Sequence, residues 1–271
     1  MRPPSIVLIL GSGPSAPHAR HWPKPDNLTI VTINNAWRVR PDWDYLIHAG
    51  DFPQDRRPRT LLPGQEVHSH ESYVPAQNRF GGFVYAGGTM AFTAGYWALD
   101  ALKPDILAYF GCDMTYSGTV THFYGKGTAD PLRPDVTLQS LEAKSARLMA
   151  LAHRQGCACV NLSTEPKSRL VFPRARLNDL SSRPFTTGID SAAAETALQE
   201  EARLGYMIED GEYWHHIDDF DAAALSRLDD LWLSACPAAP KGLIEDRSSE
   251  ADSTGTAQEQ DTACGSRKRT G

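Results

Sequence analysis

Residues 87–127 read GGTMAFTAGYWALDALKPDILAYFGCDMTYSGTVTHFYGKG and contain, in order, a turn, a helix, a buried strand and a polar loop. Small and apolar residues follow Thr89 as far as Leu102, which is typical of a helix that packs closely on a sheet. Pro104 ends this helix because proline cannot donate a backbone hydrogen bond. The short apolar run at 105–110 predicts a strand that is covered on both faces.

The loop after this strand carries side chains suited to chemistry. Gly111 and Asp113 end the strand. The polar residues beyond them are Tyr116, His122, Tyr124 and Lys126. In parallel α/β sheets, ligands bind just outside the carboxyl ends of the strands. An acid, an imidazole, an amine and phenols at this position therefore predict a ligand site.

Other strands and helices alternate on both sides of this stretch. Further apolar runs predict strands at 5–10, 28–33, 44–48 and 157–162. Residues 137–155 have the periodicity of an amphipathic helix, with Lys144, Arg147 and Arg154 on its exposed face. The alternation through residue 162 predicts an α/β fold with a doubly wound, mostly parallel sheet.

The amino-acid composition limits the classes of function that this protein can have. The chain has 271 residues, of which 41% are hydrophobic, and this is enough for one sizeable core. Its formal net charge of -6 argues against a general nucleic-acid binder. No apolar run reaches the ~18 residues of a membrane span, and the run at 5–10 is too short for a signal peptide. The composition predicts a cytoplasmic protein with no membrane span.

The first strand is followed at once by Gly11-Ser12-Gly13-Pro14-Ser15. Glycines at such a position let backbone N–H groups approach a phosphate, and the Ser15 hydroxyl can donate a hydrogen bond. The same residues also suit a tight strand-to-helix turn, so both interpretations stay open. The prolines that shorten any helix before Asp26 are Pro14, Pro17, Pro23 and Pro25.

Polar residues also follow the second and third strands. The amides of Asn34 and Asn35 can contact a base or ribose edge, or they can build a turn. Asp51 can hold a ribose hydroxyl or a metal ion, although a lone aspartate in a turn is more often structural. His68 and His70 alternate as a metal pair on a strand does, but a surface strand is favoured because no third ligand is nearby.

The last third of the chain has a different character. Predicted helices at 191–203 and 219–234 suggest an appendage that packs on the sheet, or alternatively a wall on the acceptor side of the site. The sequence from Pro237 on is polar, mixed in charge and almost free of large apolar residues, which predicts disorder. The predicted organisation is a nucleotide-binding domain at 1–165, a helical appendage at 166–236 and a disordered tail at 237–271.

These motifs, in this order, resemble those of the bacterial sialyltransferases of glycosyltransferase family 42, which adopt a modified Rossmann fold. The matching positions are the loop at 11–15, the asparagine pair at 34–35, Gly87-Gly88-Thr89 and Gly111-Cys112-Asp113. The order also resembles the 6-hydroxymethylpterin diphosphokinase (MptE-like) family, which includes motility-associated nonulosonate transferases. The positions that match this second family are Thr121-His122, Gly125 and Pro41-Asp42 with Asp51. The resemblance covers about residues 5–165.

Two features depart from the sialyltransferases. His122 comes only nine residues after Asp113, so their longer acceptor lid is missing or rebuilt. Thr115 stands where they have a tyrosine, and Tyr116 follows one place later. These departures concern the acceptor side of the reaction.

The resemblance implies a glycosyltransferase-like enzyme that moves a nonulosonic (sialic) acid from a CMP-activated donor to the hydroxyl of a glycan or small-molecule acceptor. His122 would be the general base, and Tyr116 and Tyr124 would bind the leaving phosphate. Gly88 and Thr89, at the start of a helix, would face that phosphate. The other residues that would hold the nucleotide are the loop at 11–15, Asn34, Asn35, Asp51, Gly111 and Asp113.

The glycosyltransferase hypothesis requires no cofactor and no metal besides the CMP-sugar donor. The alternative activity is a diphosphokinase that uses ATP and Mg²⁺, with Asp51 and Asp113 as metal ligands. A non-catalytic nucleotide-binding module is the third possibility. Whether the chain forms a homo-oligomer stays open.

Overall fold

The computed structural model describes residues 2–116, 119–127, 130–181, 185 and 188–236. The strands within these residues are β1 (Ile6–Leu10), β2 (Leu28–Ile33), β3 (Tyr45–Ile47), β4 (Glu66–His68), β5 (Ile106–Phe110) and β6 (Ala158–Asn161). They form one parallel sheet in the order β4-β3-β2-β1-β5-β6. This arrangement confirms the predicted α/β fold with a parallel, Rossmann-like sheet.

The centre of the sheet consists of its most apolar strands. Leu8 of β1 lies opposite Ile30 of β2 on one side and Ala108 of β5 on the other. Every residue of β1 and β5 is buried, as the two apolar runs predicted. The chain adds β2, β3 and β4 on one side of β1, then returns to add β5 and β6 on the other. The strand order therefore reverses between β1 and β5, which is where open α/β sheets bind ligands.

The two faces of the sheet are covered differently. The described helices are α1 (His70–Asn78), α2 (Phe83–Ala86), α3 (Met90–Ala101), α4 (Leu141–Arg154), α5 (Ser191–Leu204) and α6 (Ala222–Ala235). Their apolar side chains share one core with Val7 and Ile9 of β1. The opposite face, around Leu8, is covered by turns and loops such as the 3-10 helix Ala16–His21. The prolines after β1 keep this segment short, as predicted.

Two helix starts differ from the prediction and one agrees with it. α3 begins after Thr89, as predicted for a helix that follows the turn at Gly87-Gly88-Thr89, and Gly87 has a left-handed φ angle of 84°. The helix predicted at 137–155 is divided before Leu141, where the Ser140 hydroxyl accepts a hydrogen bond from Ala143 N and caps α4. α6 begins at Ala222 rather than at 219, because the carboxylate of Asp221 caps it.

The predicted exposed face of α4 is wrong for Lys144 and Arg147, which are both 1% exposed. The C-terminal helix α6 packs on this face of α4, and α5 packs on α6. Lys144 Nζ lies 2.8 Å from Asp229 Oδ1, and the Arg147 guanidinium donates bonds of 2.6 and 2.7 Å to Glu201. Charged groups are buried only with such partners. These contacts therefore allow the face of α4 that was predicted to be exposed to lie in the interior.

The C-terminal helices share the core of the sheet. All described residues belong to one compact unit, and Ala197 of α5 and Leu228 of α6 lie in the same apolar cluster as the helices before them. Of the helices described, none combines the length and the apolar character that crossing a bilayer requires. The tail predicted at 237–271 falls outside the described residues.

Candidate active site

A pocket of about 350 Å³ opens at the carboxyl ends of β1 and β5, beside the reversal of strand order. Its walls come from the loops after β1, β2, β5 and β6 and from the start of α3. The predicted site residues that line it are Gly11, Ser12, Gly13, Pro14, Asn34, Thr89, Gly111, Asp113, Tyr116 and His122. The predicted site residues outside its lining are Ser15, Asn35, Asp51, Gly88 and Tyr124.

The glycines after β1 allow two chain segments to touch. Gly11 N donates to Phe110 O and Gly13 N donates to Gly111 O, both at 2.8 Å. A Cβ atom at either glycine would lie less than 3.0 Å from Gly111 O. The tight turn is therefore present, and the approach of β5 explains both glycines. Phosphate binding by this loop stays a prediction.

The asparagines after β2 lie in different environments. Asn34 lines the pocket, has a φ angle of 48° and accepts a bond of 3.1 Å from Ala49 N through its side-chain oxygen. Asn35 is 4% exposed, and its side-chain oxygen has no hydrogen-bond partner among the described residues. Asp51 is exposed. Of the three, only Asn34 is in position to contact a ligand in this pocket.

The start of α3 forms another wall. Thr89 is the N-cap of this helix, and its side chain makes no capping bond. It is 6% exposed and lines the pocket together with Met90 and Ala91. The N-terminus of a 12-residue helix carries partial positive charge and unpaired N–H groups, which favour an anion.

His122 lies in the pocket wall on a tight loop. Its backbone exchanges two hydrogen bonds with Gly125, and Phe123 N donates to Ser12 O at 3.0 Å, which ties this loop to the loop after β1. The imidazole Nδ1 lies 3.0 Å from the Thr121 hydroxyl, which also accepts a bond from Gly127 N. The ring is thereby held in one orientation at the pocket.

His122 is buried, although the sequence of its loop is polar. The residue is 9% exposed, because its ring stacks on Tyr124 at 5.0 Å and contacts Tyr116 at 5.6 Å. Burial lowers the pKa of the imidazole from its ordinary value of 6.5, because the charged ring loses hydration. The neutral ring is therefore the dominant form at neutral pH.

Asp113 and Glu165 bring two carboxylates to the pocket. Asp113 is 8% exposed, and its Oδ2 accepts a bond of 2.6 Å from the Ser163 hydroxyl. Its Oδ1 has no hydrogen-bond partner among the described residues and lies 3.9 Å from an Arg174 nitrogen. The described lining residues include no lysine or arginine. Nowhere in the described chain do three or more metal-binding side chains cluster.

Two features of the site were missed from the sequence. Ser163 and Glu165 lie in the loop after β6, so the rule that pointed to the end of β5 would also have found them. The second feature is backbone strain. Of the four described non-glycine residues with left-handed φ angles, three line the pocket, namely Asn34, Met114 and Tyr116. The asparagine at position 34 indicated a turn, but no sequence signal marked the strain at Met114 or Tyr116. Such strain concentrates at functional sites.

Comparison with protein-family models, curated proteins and solved structures gives no match to this chain.

Proposed function

We propose that this chain is a glycosyltransferase-like enzyme that transfers a nonulosonic acid from a CMP-activated donor to an acceptor hydroxyl. The observation that carries the proposal is the placement of His122. It is a neutral, oriented imidazole in the wall of the pocket at the reversal of strand order. A group with these properties is suited to accept a proton from an attacking hydroxyl.

The hydrogen bonds of His122 suggest how the base would work. Because Nδ1 is next to the Thr121 hydroxyl, Nε2 is the nitrogen left to accept the proton. For this, Nδ1 must carry a hydrogen and donate it to Thr121 Oγ1. The Thr121 hydroxyl can then donate to Gly127 O at 3.4 Å. When Nε2 accepts a proton, the hydrogen bond from Nδ1 to Thr121 Oγ1 stabilises the positively charged ring.

The charges in the pocket disfavour a donor that carries many phosphate charges, because Asp113 and Glu165 both line it. With no lysine or arginine among its described lining residues, the pocket offers the α3 N-terminus and the Tyr116 phenol to a phosphate. A CMP monoester carries less charge than the diphosphate or triphosphate of other donors. It therefore needs less compensation from cations.

A diphosphokinase that uses ATP and Mg²⁺ is the second candidate. Asp51, one of its expected metal ligands, is exposed and outside the pocket lining, so the expected pair does not fit. Asp113 and Glu165 do lie in one pocket, and Asp113 Oδ1 lacks a hydrogen bond within the described chain. A magnesium ion would therefore be held by Asp113 and Glu165, and it would offset the charge of the ATP phosphates.

Thermal unfolding with CMP, CDP, UDP, GDP and ATP, each with Mg²⁺ or with EDTA, separates the two candidates. We expect CMP to raise the melting temperature in EDTA, with about 2.7 kcal/mol of stabilisation at a hundredfold excess over Kd. A shift with ATP that requires Mg²⁺, beside no shift with CMP, would replace the proposal with the diphosphokinase. Nucleotide binding without any turnover would favour the third possibility, a non-catalytic nucleotide-binding module.

The role of His122 can be tested before an acceptor is known, by measuring slow hydrolysis of a CMP-nonulosonate, in which water takes the place of the acceptor. His122→Ala should lower this rate by about 10²–10⁴-fold, the usual contribution of a general base, and leave CMP affinity nearly unchanged. His48→Ala is the matched control, because His48 is also buried, at 3% exposed, but lies outside the pocket lining. Equal rates in wild-type protein and His122→Ala would disprove the assignment.

A further inference from the structure

The turn before α3 is held by residues far away in the chain. Gly88 O accepts a hydrogen bond of 3.0 Å from Arg133 Nη2, and Gly88 N donates one of 3.3 Å to the Thr137 hydroxyl. Gly88 is adjacent to Thr89, the N-cap of α3 that lines the pocket. Both backbone groups of Gly88 are thus bonded to side chains that follow the loop with His122 in the sequence.

Asp135 and Tyr213 orient these two side chains. Asp135 accepts a bond of 2.7 Å from the Thr137 hydroxyl at one oxygen, and its other oxygen lies 2.8 Å from Arg133 Nη2. The Tyr213 hydroxyl donates to Asp135 Oδ2 and accepts from Arg133 Nη2, both at 2.8 Å. We call Arg133, Asp135, Thr137 and Tyr213 the Tyr213 clamp.

The phenol of Tyr213 packs directly on the turn. A Cβ atom at Gly88 would lie less than 3.0 Å from the Tyr213 hydroxyl oxygen and its ring carbon. The φ angle of Gly88 is outside the left-handed region, so the approach of Tyr213, and not the backbone conformation, requires glycine here. Tyr213 is 4% exposed and stacks on Phe83 at 6.2 Å.

We propose that Tyr213 is a positioning residue for the nucleotide site, and that it acts through Asp135, Arg133 and Gly88 on the N-terminus of α3. The part of this proposal that concerns CMP binding rests on the proposed function. A helix N-terminus binds a phosphate well only if its N–H groups are already held in place. Tyr213 contributes to this rigidity from the segment between α5 and α6, which the sequence predicted only as part of an appendage or of an acceptor-side wall.

The test compares Tyr213→Phe with Tyr85→Phe in the full chain. Both tyrosines are buried, at 4% and 3% exposed, and each hydroxyl donates one hydrogen bond and accepts another. Tyr85 bonds to Glu201 and Tyr206, outside the clamp. We expect hydrogen exchange at residues 88–92 of the ligand-free protein to become faster in Tyr213→Phe only. CMP should bind about tenfold more weakly to this variant and unchanged to Tyr85→Phe.

Each outcome decides one question. Unchanged exchange at 88–92 in Tyr213→Phe, or an equal change in both variants, would overturn the clamp. Faster exchange with unchanged CMP affinity would overturn the positioning role. If wild-type protein bound no CMP while the exchange difference was present, the proposed function would fail and the clamp would stand.

Gly88→Ala is a second variant that keeps the phenol but displaces it. We expect it to accelerate exchange at 88–92 as Tyr213→Phe does. Because the added Cβ would overlap mainly with the hydroxyl, Gly88→Ala should cost less stability in the Tyr213→Phe protein than in the wild type. Strictly additive effects would contradict this direct contact.

Discussion

Three imidazoles are buried enough for their protonation to depend on the fold. His48 and His122 are 3% and 9% exposed, and the His68 side chain is 20% exposed. Burial lowers the pKa of each from 6.5, because the interior solvates the charged ring less well than water does. In His122 this favours the neutral form that a general base needs. In all three histidines, the lowered pKa makes the free energy of unfolding depend on pH.

We expect the free energy of unfolding to decrease as the pH falls below about 6.5. In that range the unfolded chain binds protons at these histidines and the folded chain does not, so protons favour unfolding. Each histidine contributes a slope of up to about 1.4 kcal/mol per pH unit until its folded pKa is reached. Urea titrations over this range measure the slope. It should be shallower in His48→Gln than in the wild-type protein.

At the scale of elements, the site depends on how closely the loop after β1 meets the end of β5. The hydrogen bonds from Gly11 and Gly13 join these segments, and Phe123 N connects the loop that carries His122 by donating to Ser12 O. The segments that position Asp113 and His122 are thus connected through one short turn. A change in that turn should affect both stability and the site.

Gly11→Ala should destabilise the protein by about 1–3 kcal/mol, the usual range for overpacking a core. Its Cβ would lie less than 3.0 Å from both Cys112 Sγ and Gly111 O, and a backbone oxygen cannot move without shifting the strand end. Gly50→Ala is the matched control, since its Cβ would meet no atom within 4 Å and its φ angle is not left-handed. Urea unfolding measures both. Equal stability of the two variants would contradict the close approach.

At the scale of the whole molecule, the C-terminal helices complete the interior of the sheet domain. Glu201 of α5 accepts hydrogen bonds from Arg147 and from Trp232 Nε1, and Asp229 of α6 pairs with Lys144. Both cations lie on α4, which packs beside α3. The helices after residue 190 therefore neutralise charges that the earlier part of the chain buries.

Glu201→Gln should cost about 3–5 kcal/mol, because it removes the negative partner of a buried arginine. Glu200→Gln is the neighbouring control. Glu200 pairs with Arg203 at the surface, where ion pairs contribute little, so its loss should barely change the unfolding midpoint. Guanidinium titrations of both variants measure the difference. Similar midpoints would show that the Arg147–Glu201 pair does not stabilise the fold.

The parallel sheet, and the edge of the sheet at which the pocket lies, followed from the sequence alone. The runs Ile6–Leu10 and Ile106–Phe110 are apolar at every position, which is a local property of strands that are buried on both faces. Residues that end such strands gather at one edge of a parallel sheet. Asp113 and the loop with His122 could therefore be assigned to a pocket before its geometry was known.

Tertiary structure alone decided which partners these residues meet. Lys144 and Arg147 have the sequence pattern of an exposed helix face, but α5 and α6 bring them Glu201 and Asp229. Likewise, Gly88 faces Tyr213, a residue of the segment between those helices. Periodicity records how a segment alternates between apolar and polar residues, whereas burial depends on which distant segment packs against it. That choice is made by the cooperative packing of the entire chain, and no short stretch of sequence contains it.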